Sequence, residues 1–464
     1  MGVVRGTGTM PNRLIVERST RIDIPVEDVW LWHTRPGAFE RLTPPWEDVR
    51  VLERTGGIEN GARIVLEVKL GPIPLRWVAV HRDVVEGSRF VDVQESGPFA
   101  SWVHEHEMTG DGAGGTIVRD CITCEPPLGA AGSLFGAPVI RQKLERMLRY
   151  RHATLAADLA AHAGITPRRF VVAGATGLIG SALVPFLTTG GHQVTRLVRS
   201  SPRAGDSVWD PDRGTIDASV LAGADAVINL AGANVAGGRW TAERKQYLID
   251  SRVRPAGLLA QSIARSAPRA PVLVSVSASG FYGDRGDEPL GDEAAPGAGF
   301  FPSLAQAWEG AADLATSAGV RVAHPRFGIV LSPAGGALAK LLPPFLAGVG
   351  GPVGGGRQWF GWSSIDDAIS MLYLAAINTR VRGPFNASAP APSRNADLAR
   401  TLGRVLGRPA LIPVPAAALK VLFGEMAEAT LLASTRILPE LLQEYRFRHR
   451  HPQLESALRH VLGR

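Results

Sequence analysis

A chain of 464 residues, 45% hydrophobic and 20% charged, is too long for one core and too apolar to be disordered; its length suggests about three domains. Two cysteines exclude a disulfide framework and fit an intracellular, cytoplasmic protein. The net charge of +7, from 50 basic and 43 acidic residues, is not gathered into a block of the kind that holds nucleic acid, and no nucleic-acid partner is expected.

The opening residues, MGVVRGTGTMPNRL, contain no apolar export segment and no hydroxyl residue at position six for myristoylation. The runs RLIVERSTRIDIP, ARIVLEVKL, RWVAVHRDVV, RFVDVQES and SWVHEHEMT follow, separated by Gly, Pro and Asp turns. Many alternate apolar and polar residues, the pattern of an antiparallel sheet wet on one face. After TIVRDCITCEPP the period changes. Leu144, Met147, Leu148, Leu155 and Leu159 recur at helical spacing, which predicts a long helix over 139–161. Cys121 and Cys124 lie at an odd spacing on one strand, so two buried thiols on opposite faces are expected rather than a zinc site. His104 and His106 share a face, but the sequence names no third ligand, and no metal is assigned.

The segment IDIPVEDVWLWHTRPGAFERLTPPW and the closing helix with RYRHATLAADL resemble the helix-grip ligand-binding superfamily that includes START and polyketide cyclase-like proteins. The resemblance implies an α+β domain over 12–163, an antiparallel sheet around one long helix, with a pocket for a lipophilic ligand. A domain that only supports folding or assembly is the other reading.

Beyond the linker ITPRR, residues 170–191 carry no charge. That is long enough to span a bilayer, but five glycines and Pro185 divide it better into strand, turn and helix, and no membrane span is expected. Phe170–Ala173 is a continuous apolar run, as in a parallel strand covered on both faces. The loop Gly174-Ala175-Thr176-Gly177-Leu178-Ile179-Gly180 follows. In a dinucleotide site Gly174 permits the turn, Gly177 admits the pyrophosphate, and Gly180 allows close packing of the helix whose N-terminus faces the phosphates. Further apolar strands are expected at Ala226–Leu230, Pro271–Val276 and Val320–His324. The second strand ends in Arg196-Leu197-Val198-Arg199-Ser200, with no carboxylate before Asp206. Arg199 and Ser200 suit a 2′-phosphate, so NADP is expected over NAD.

The GxxGxxG spacing, NLAG at Asn229–Gly232 and SASGFYG at Ser277–Gly283 resemble the extended short-chain dehydrogenase/reductases. The runs NLAGANVAGGRWTAERKQYLIDSRV, FPSLAQAWEGAA, HPRFGIVLSPAGGAL and GGGRQWFGWSSIDDA resemble an atypical branch of epimerase-family oxidoreductases with a C-terminal domain of unknown function. This implies an α/β, doubly wound Rossmann domain over 168–390 and a small helical lobe over 391–464. It also implies that Leu230, Ala231 and Gly232 line the cofactor.

The wider family's Tyr and Lys at i and i+4 move the proton. No YxxxK occurs in this chain. With Glu309 aligned to the glutamate that usually follows, Phe301 and Ala305 take the dyad positions. Ser277 and Tyr282 are the remaining candidates to polarise a reacting oxygen; capping serines and a core tyrosine are the bland alternative. Arg239, Trp240, Gln358, Trp359 and Trp362 line a small-molecule substrate pocket or make packing and homodimer contacts, and Asp366 and Asp367 are expected to cap a helix. Two functions are compatible with this pattern: an NADP(H)-dependent oxidoreductase or epimerase-like enzyme, or a non-catalytic NADPH-binding regulatory or ligand-sensing protein.

Overall fold

A computed structural model describes residues 13–71, 73–127, 129–266 and 270–464. The expectations for the extreme N-terminus, including a domain start at residue 12, lie outside these. The chain divides into two compact units, one running to Thr166 and taking in Pro185–Gly191 and Gly463, the other made of Pro167–Val184, His192–Leu462 and Arg464.

The first unit is one antiparallel sheet and a long helix. Its elements are β1 (Leu14–Ile22), α1 (Val26–Thr34), α2 (Ala38–Leu42), β2 (Val49–Thr55), β3 (Arg63–Leu70), β4 (Ile73–Val85), β5 (Arg89–Ser96), β6 (Ser101–Gly110), β7 (Thr116–Glu125) and α3 (Gly129–His162). The strand order is β1-β7-β6-β5-β4-β3-β2. The period of two sorts β6 cleanly: Trp102, His104, His106 and Met108 are buried, while Val103, Glu105 and Glu107 are half-exposed. Leu144 and Leu148 of α3 pack with Leu14, Val16 and Ile122, and Leu155 and Leu159 pack with Ile22, Trp30 and Met108. Cys121 and Cys124 are buried free thiols. Three features depart from the sequence reading. β2 was not expected, because it is an edge strand with little burial. α3 starts ten residues before the predicted helix, over a Gly- and Ala-rich run with no apolar period. The sheet's inner face is also not wholly apolar, since it carries His104, His106 and Asp120.

The second unit is a doubly wound α/β fold. β8 (Arg169–Ala173), α4 (Leu178–Thr189), β9 (Gln193–Val198), β10 (Ser207–Asp210), β11 (Thr215–Ile216), α5 (Ala218–Ala222), β12 (Ala226–Asn229), α6 (Ala242–Ala264), β13 (Val272–Ser275), β14 (Ser277–Ala278) and α7 (Phe300–Asp313) follow in turn. The sheet order is β11-β10-β9-β8-β12-β13, then the strand Val322–Phe327 and β14, with Gly383–Ala387 also parallel to Val322–Phe327. The strand order reverses between β8 and β12, where such sheets open a crevice at their carboxyl ends. Residues 391–462 pack into this same unit. Leu398, Leu402 and Val405 share a core with Leu458, Val461, Leu338, Phe345 and Trp362. Among the described residues no helix is long and apolar enough to cross a membrane.

Candidate functional site

Two of the three glycines at the β8–α4 turn are demanded by close neighbours. Gly174 has φ +76°, and a Cβ there would stand 2.7 Å from the Leu230 carbonyl. At Gly180 a Cβ would meet the Gly174 oxygen at 2.3 Å, so the helix can approach the loop this closely only without a side chain. Gly177 is different. A Cβ there would meet nothing closer than the Gly174 oxygen at 3.4 Å, and the residue is exposed with Thr176. The loop is therefore tight on its protein side and open where an anion would sit. Ala175 is buried, and Leu178 and Ile179 direct their side chains into the core, so contact with a phosphate at these positions falls to backbone amides of the helix start.

At the end of β9, Asp206 is claimed by its neighbours: Arg196 holds it with two hydrogen bonds of 2.7 Å, and the Arg203 amide adds a third. The Asp206 carboxyl is accordingly held below its ordinary range, because these partners outweigh the cost of burial. Arg199 and Ser200 are exposed, and among the described residues Arg199 forms no ion pair. Across the crevice, Leu230, Ala231 and Gly232 continue from β12. The Leu230 amide donates to Ala173 O at 3.0 Å and the Ala231 amide to the Asn229 side chain at 3.1 Å, which fixes this loop beside the glycine turn. Beneath Gly232 lies Arg252, buried, held by Leu248 O and Ala233 O. Burial and then Arg244 lower its guanidinium to about 10, still a cation at neutral pH.

Ser277 and Tyr282 are brought together, but through other residues. Ser277 Oγ donates to Glu309 Oε1 at 2.6 Å. Arg326 grips both oxygens of Glu309 at 2.8 Å and reaches the Tyr282 hydroxyl at 3.0 Å. That hydroxyl donates in turn to Asn386 Oδ1 at 2.8 Å, and the Arg326 guanidinium lies 3.5 Å over the Phe281 ring. Tyr282 is 0% exposed and sits in a core cluster with Leu290, Ala305 and Ile437. Burial raises its phenol above the ordinary value although Arg326 pulls the other way. Tyr282 thus stands behind the strand ends as a support for Arg326. Phe301 covers Gly280, where a Cβ would meet its ring at 2.5 Å, and Ala305 is buried; the dyad positions hold packing groups.

Sequence reasoning missed the roles of Arg326, Asn386 and Arg252. Each is a polar residue on a buried element, a signal visible only once burial is known. Of the expected pocket aromatics, Trp240 and Trp362 are buried, their indole N–H groups donating to Val235 O and to Ala391 O. Trp359 donates to Asp287 under Arg394, Gln358 ties Val353 O to Leu431 O, and Arg239 is exposed. Ser364, not an aspartate, caps the helix Ile365–Ile377. Asp366 and Asp367 instead hold His460 and the amides of Arg450 and His451.

Comparison with known proteins matches these parts. The profile described as NAD dependent epimerase/dehydratase family covers residues 170–387. A polyketide cyclase / dehydrase and lipid transport profile covers 22–149, and a domain of unknown function (DUF1731) covers 414–461. An epimerase family protein of Mycobacterium bovis is 37% identical over 63% of this chain and 97% of its own length. A crystal structure described as the nucleoside-diphosphate sugar epimerase from Corynebacterium glutamicum superposes with a TM-score of 0.78 at 33% identity, covering 96% of this chain and 90% of that one. The human epimerase family protein SDR39U1, solved with NADPH, superposes at 0.59 with 33% identity, over 63% of this chain and 99% of that one.

Proposed function

This chain belongs to the epimerase family, and from that premise we propose that it binds NADP(H) in the β8–α4 crevice and uses it on a carbonyl or hydroxyl substrate. The observation that carries the cofactor choice lies beyond the end of β9: Asp206, the first carboxylate after that strand in sequence, is paired with Arg196, while Arg199 and Ser200 are exposed and could receive a 2′-phosphate. Human SDR39U1, solved with NADPH, supports the same choice. The amides of Gly174–Gly180 would hold the pyrophosphate, and Leu230–Gly232 would wall the crevice opposite. Arg252 adds a buried positive charge beneath that wall.

The bound nucleotide supplies hydride; the chain must supply orientation and a hydrogen-bond donor for the reacting oxygen. Ser277 is the candidate hydroxyl: its one proton is given to Glu309, which Arg326 grips while also bonding the Tyr282 hydroxyl, and turning from Glu309 would free that proton for the reacting oxygen. A second reading, a non-catalytic NADPH-dependent binding protein, is favoured by one observation, the hydrophobic pair Phe301 and Ala305 at the dyad positions.

Titration of the full chain with NADPH and NADH, followed by nucleotide fluorescence, tests the cofactor assignment. Tight NADPH and weak NADH binding are expected, and binding of neither sinks it. Consumption of bound NADPH with a panel of carbonyl compounds then separates enzyme from sensor.

A further inference from the structure

In the first unit, four strands direct polar groups to one point, where His104, His106 and Asp120 are buried and His81 and Asp92 half-buried. His104 and His106 project inward from β6, with Asp120 beside them on β7. Asp92 of β5 lies opposite His104 in register, and His81 of β4 lies opposite Asp92. Burying carboxylates and imidazoles in an interior lined by Phe90, Trp102 and Val118 costs several kcal/mol unless they are paired. Most are. Asp92 pairs with His81 Nε2 at 2.6 Å and His106 Nε2 at 3.0 Å. Asp120 pairs with His106 Nδ1 at 2.6 Å and His152 Nε2 at 3.0 Å, with Arg151 3.9 Å away. Two imidazole nitrogens are left over: His81 Nδ1, and His104 Nε2, on a residue 4% exposed, whose nearest carboxylate oxygen is Asp120 Oδ1 at 3.5 Å.

We infer that Asp92, His104 and His106 form a site for a first-row divalent metal ion of the Zn2+ class. One ligand atom from each lies within 4.8 Å of the other two. Bonds of about 2.0–2.2 Å to a shared ion need these atoms about 3.4 Å apart, a movement within reach of side-chain torsions. Two imidazoles and a carboxylate suit Zn2+, Fe2+ or Co2+ over Mg2+ or Ca2+, and three protein ligands leave a position for water or a small oxygen ligand. The surroundings have the form of an outer shell. The Asp120 contact at Nδ1 presents the opposite His106 nitrogen, Nε2, to the ion, His81 steadies Asp92, and the Phe90 ring stacks on His106 at 4.2 Å.

The test uses the full chain, stripped with chelator and then equilibrated with Zn2+ or Co2+ alone. Bound metal is counted by elemental analysis, and Co2+ coordination is read from its visible absorption. One equivalent is expected in the parent and in His451→Ala, a control at the separate cluster of Asp366, His451 and His460, with a loss of at least tenfold in affinity in His104→Ala and Asp92→Asn. Asp120→Asn keeps every ligand and should weaken binding roughly 10–100-fold. His104→Gln, similar in bulk, replaces His104→Ala if that variant does not fold. No stoichiometric metal in the parent overturns the site, as does unchanged binding in the folded His104 variant or loss in His451→Ala.

Discussion

Ser277 Oγ and Glu309 Oε1 are 2.6 Å apart, and the same glutamate receives both prongs of Arg326. The Glu309 and Arg326 side chains are only 10% and 4% exposed. Removing one partner from such a pair leaves a buried charge uncompensated. Glu309→Ala is therefore expected to cost about 3–5 kcal/mol in folding stability, read from denaturant unfolding. A loss below about 1 kcal/mol, typical of an exposed pair, would show that water reaches Arg326.

The same network separates two hydroxyls. Ser277→Ala should lower kcat about 10²–10⁴-fold with NADPH affinity unchanged, the range for loss of a group positioned to exchange a proton. Tyr282→Phe removes a hydroxyl enclosed by Asn386 and Arg326 and should cost about 1–3 kcal/mol of stability, with a smaller effect on turnover. Abolition of turnover in a stable Tyr282→Phe protein would reverse the two roles.

Arg199→Ala should weaken NADPH binding by about 1.5–3 kcal/mol, the worth of a hydrogen bond to a charged group, or roughly ten- to hundredfold, and leave NADH unchanged. Equal loss for both nucleotides would place Arg199 on the shared pyrophosphate instead.

Much of the second unit was legible because buried parallel strands read as short apolar runs and a glycine loop has a fixed spacing. Phe170–Ala173 and Ala226–Asn229 are such runs. What escaped were elements with weak local signal. β10 and β11 are short, and the half-buried β10 has little apolar periodicity. The helix N-cap Ser364 was overshadowed by the aspartates after it. The site's chemistry was less legible than its place. Ser277 and Tyr282 stand out in the sequence as hydroxyls of one loop, but only the packing of α7 and Val322–Phe327 shows them joined by Glu309 and Arg326. The third group beside His104 and His106 was hidden for a similar reason: Asp92 lies on the neighbouring strand, and strand register is not written in local sequence.

Burial of His33 in the first unit gives that unit a pH-dependent stability. Its Nδ1 lies 2.8 Å from Val29 O, while Asp120, His106 and Arg151 act on it from a distance. Burial dominates and lowers the imidazole to about 4 from an ordinary value of 6.5. Between those values the unfolded chain binds a proton that the folded one refuses, so stability is whole above pH 6.5 and falls as pH drops toward 4. The limiting slope for one proton is about 1.4 kcal/mol per pH unit. His33→Gln, which cannot titrate, should flatten the curve by that amount over this window. An unchanged slope would mean that His33 charges in the folded state at its ordinary pKa.

The glycine loop offers a contrast between two identical substitutions. At Gly180 a methyl group would be driven into the Gly174 oxygen at 2.3 Å and the Ala175 Cα at 2.7 Å. Both are backbone, so α4 must move, and Gly180→Ala should cost about 1–3 kcal/mol of stability along with the nucleotide site. At Gly177 φ lies outside the left-handed region and the nearest atom is 3.4 Å away, so Gly177→Ala should leave stability within about 0.5 kcal/mol. Its methyl group, however, points to the exposed side of the loop, where the pyrophosphate would approach the backbone. NADPH affinity should then fall at least tenfold in a protein whose unfolding curve matches the parent. Retained affinity in Gly177→Ala would move the phosphates away from this loop, whatever Gly180→Ala does to the fold.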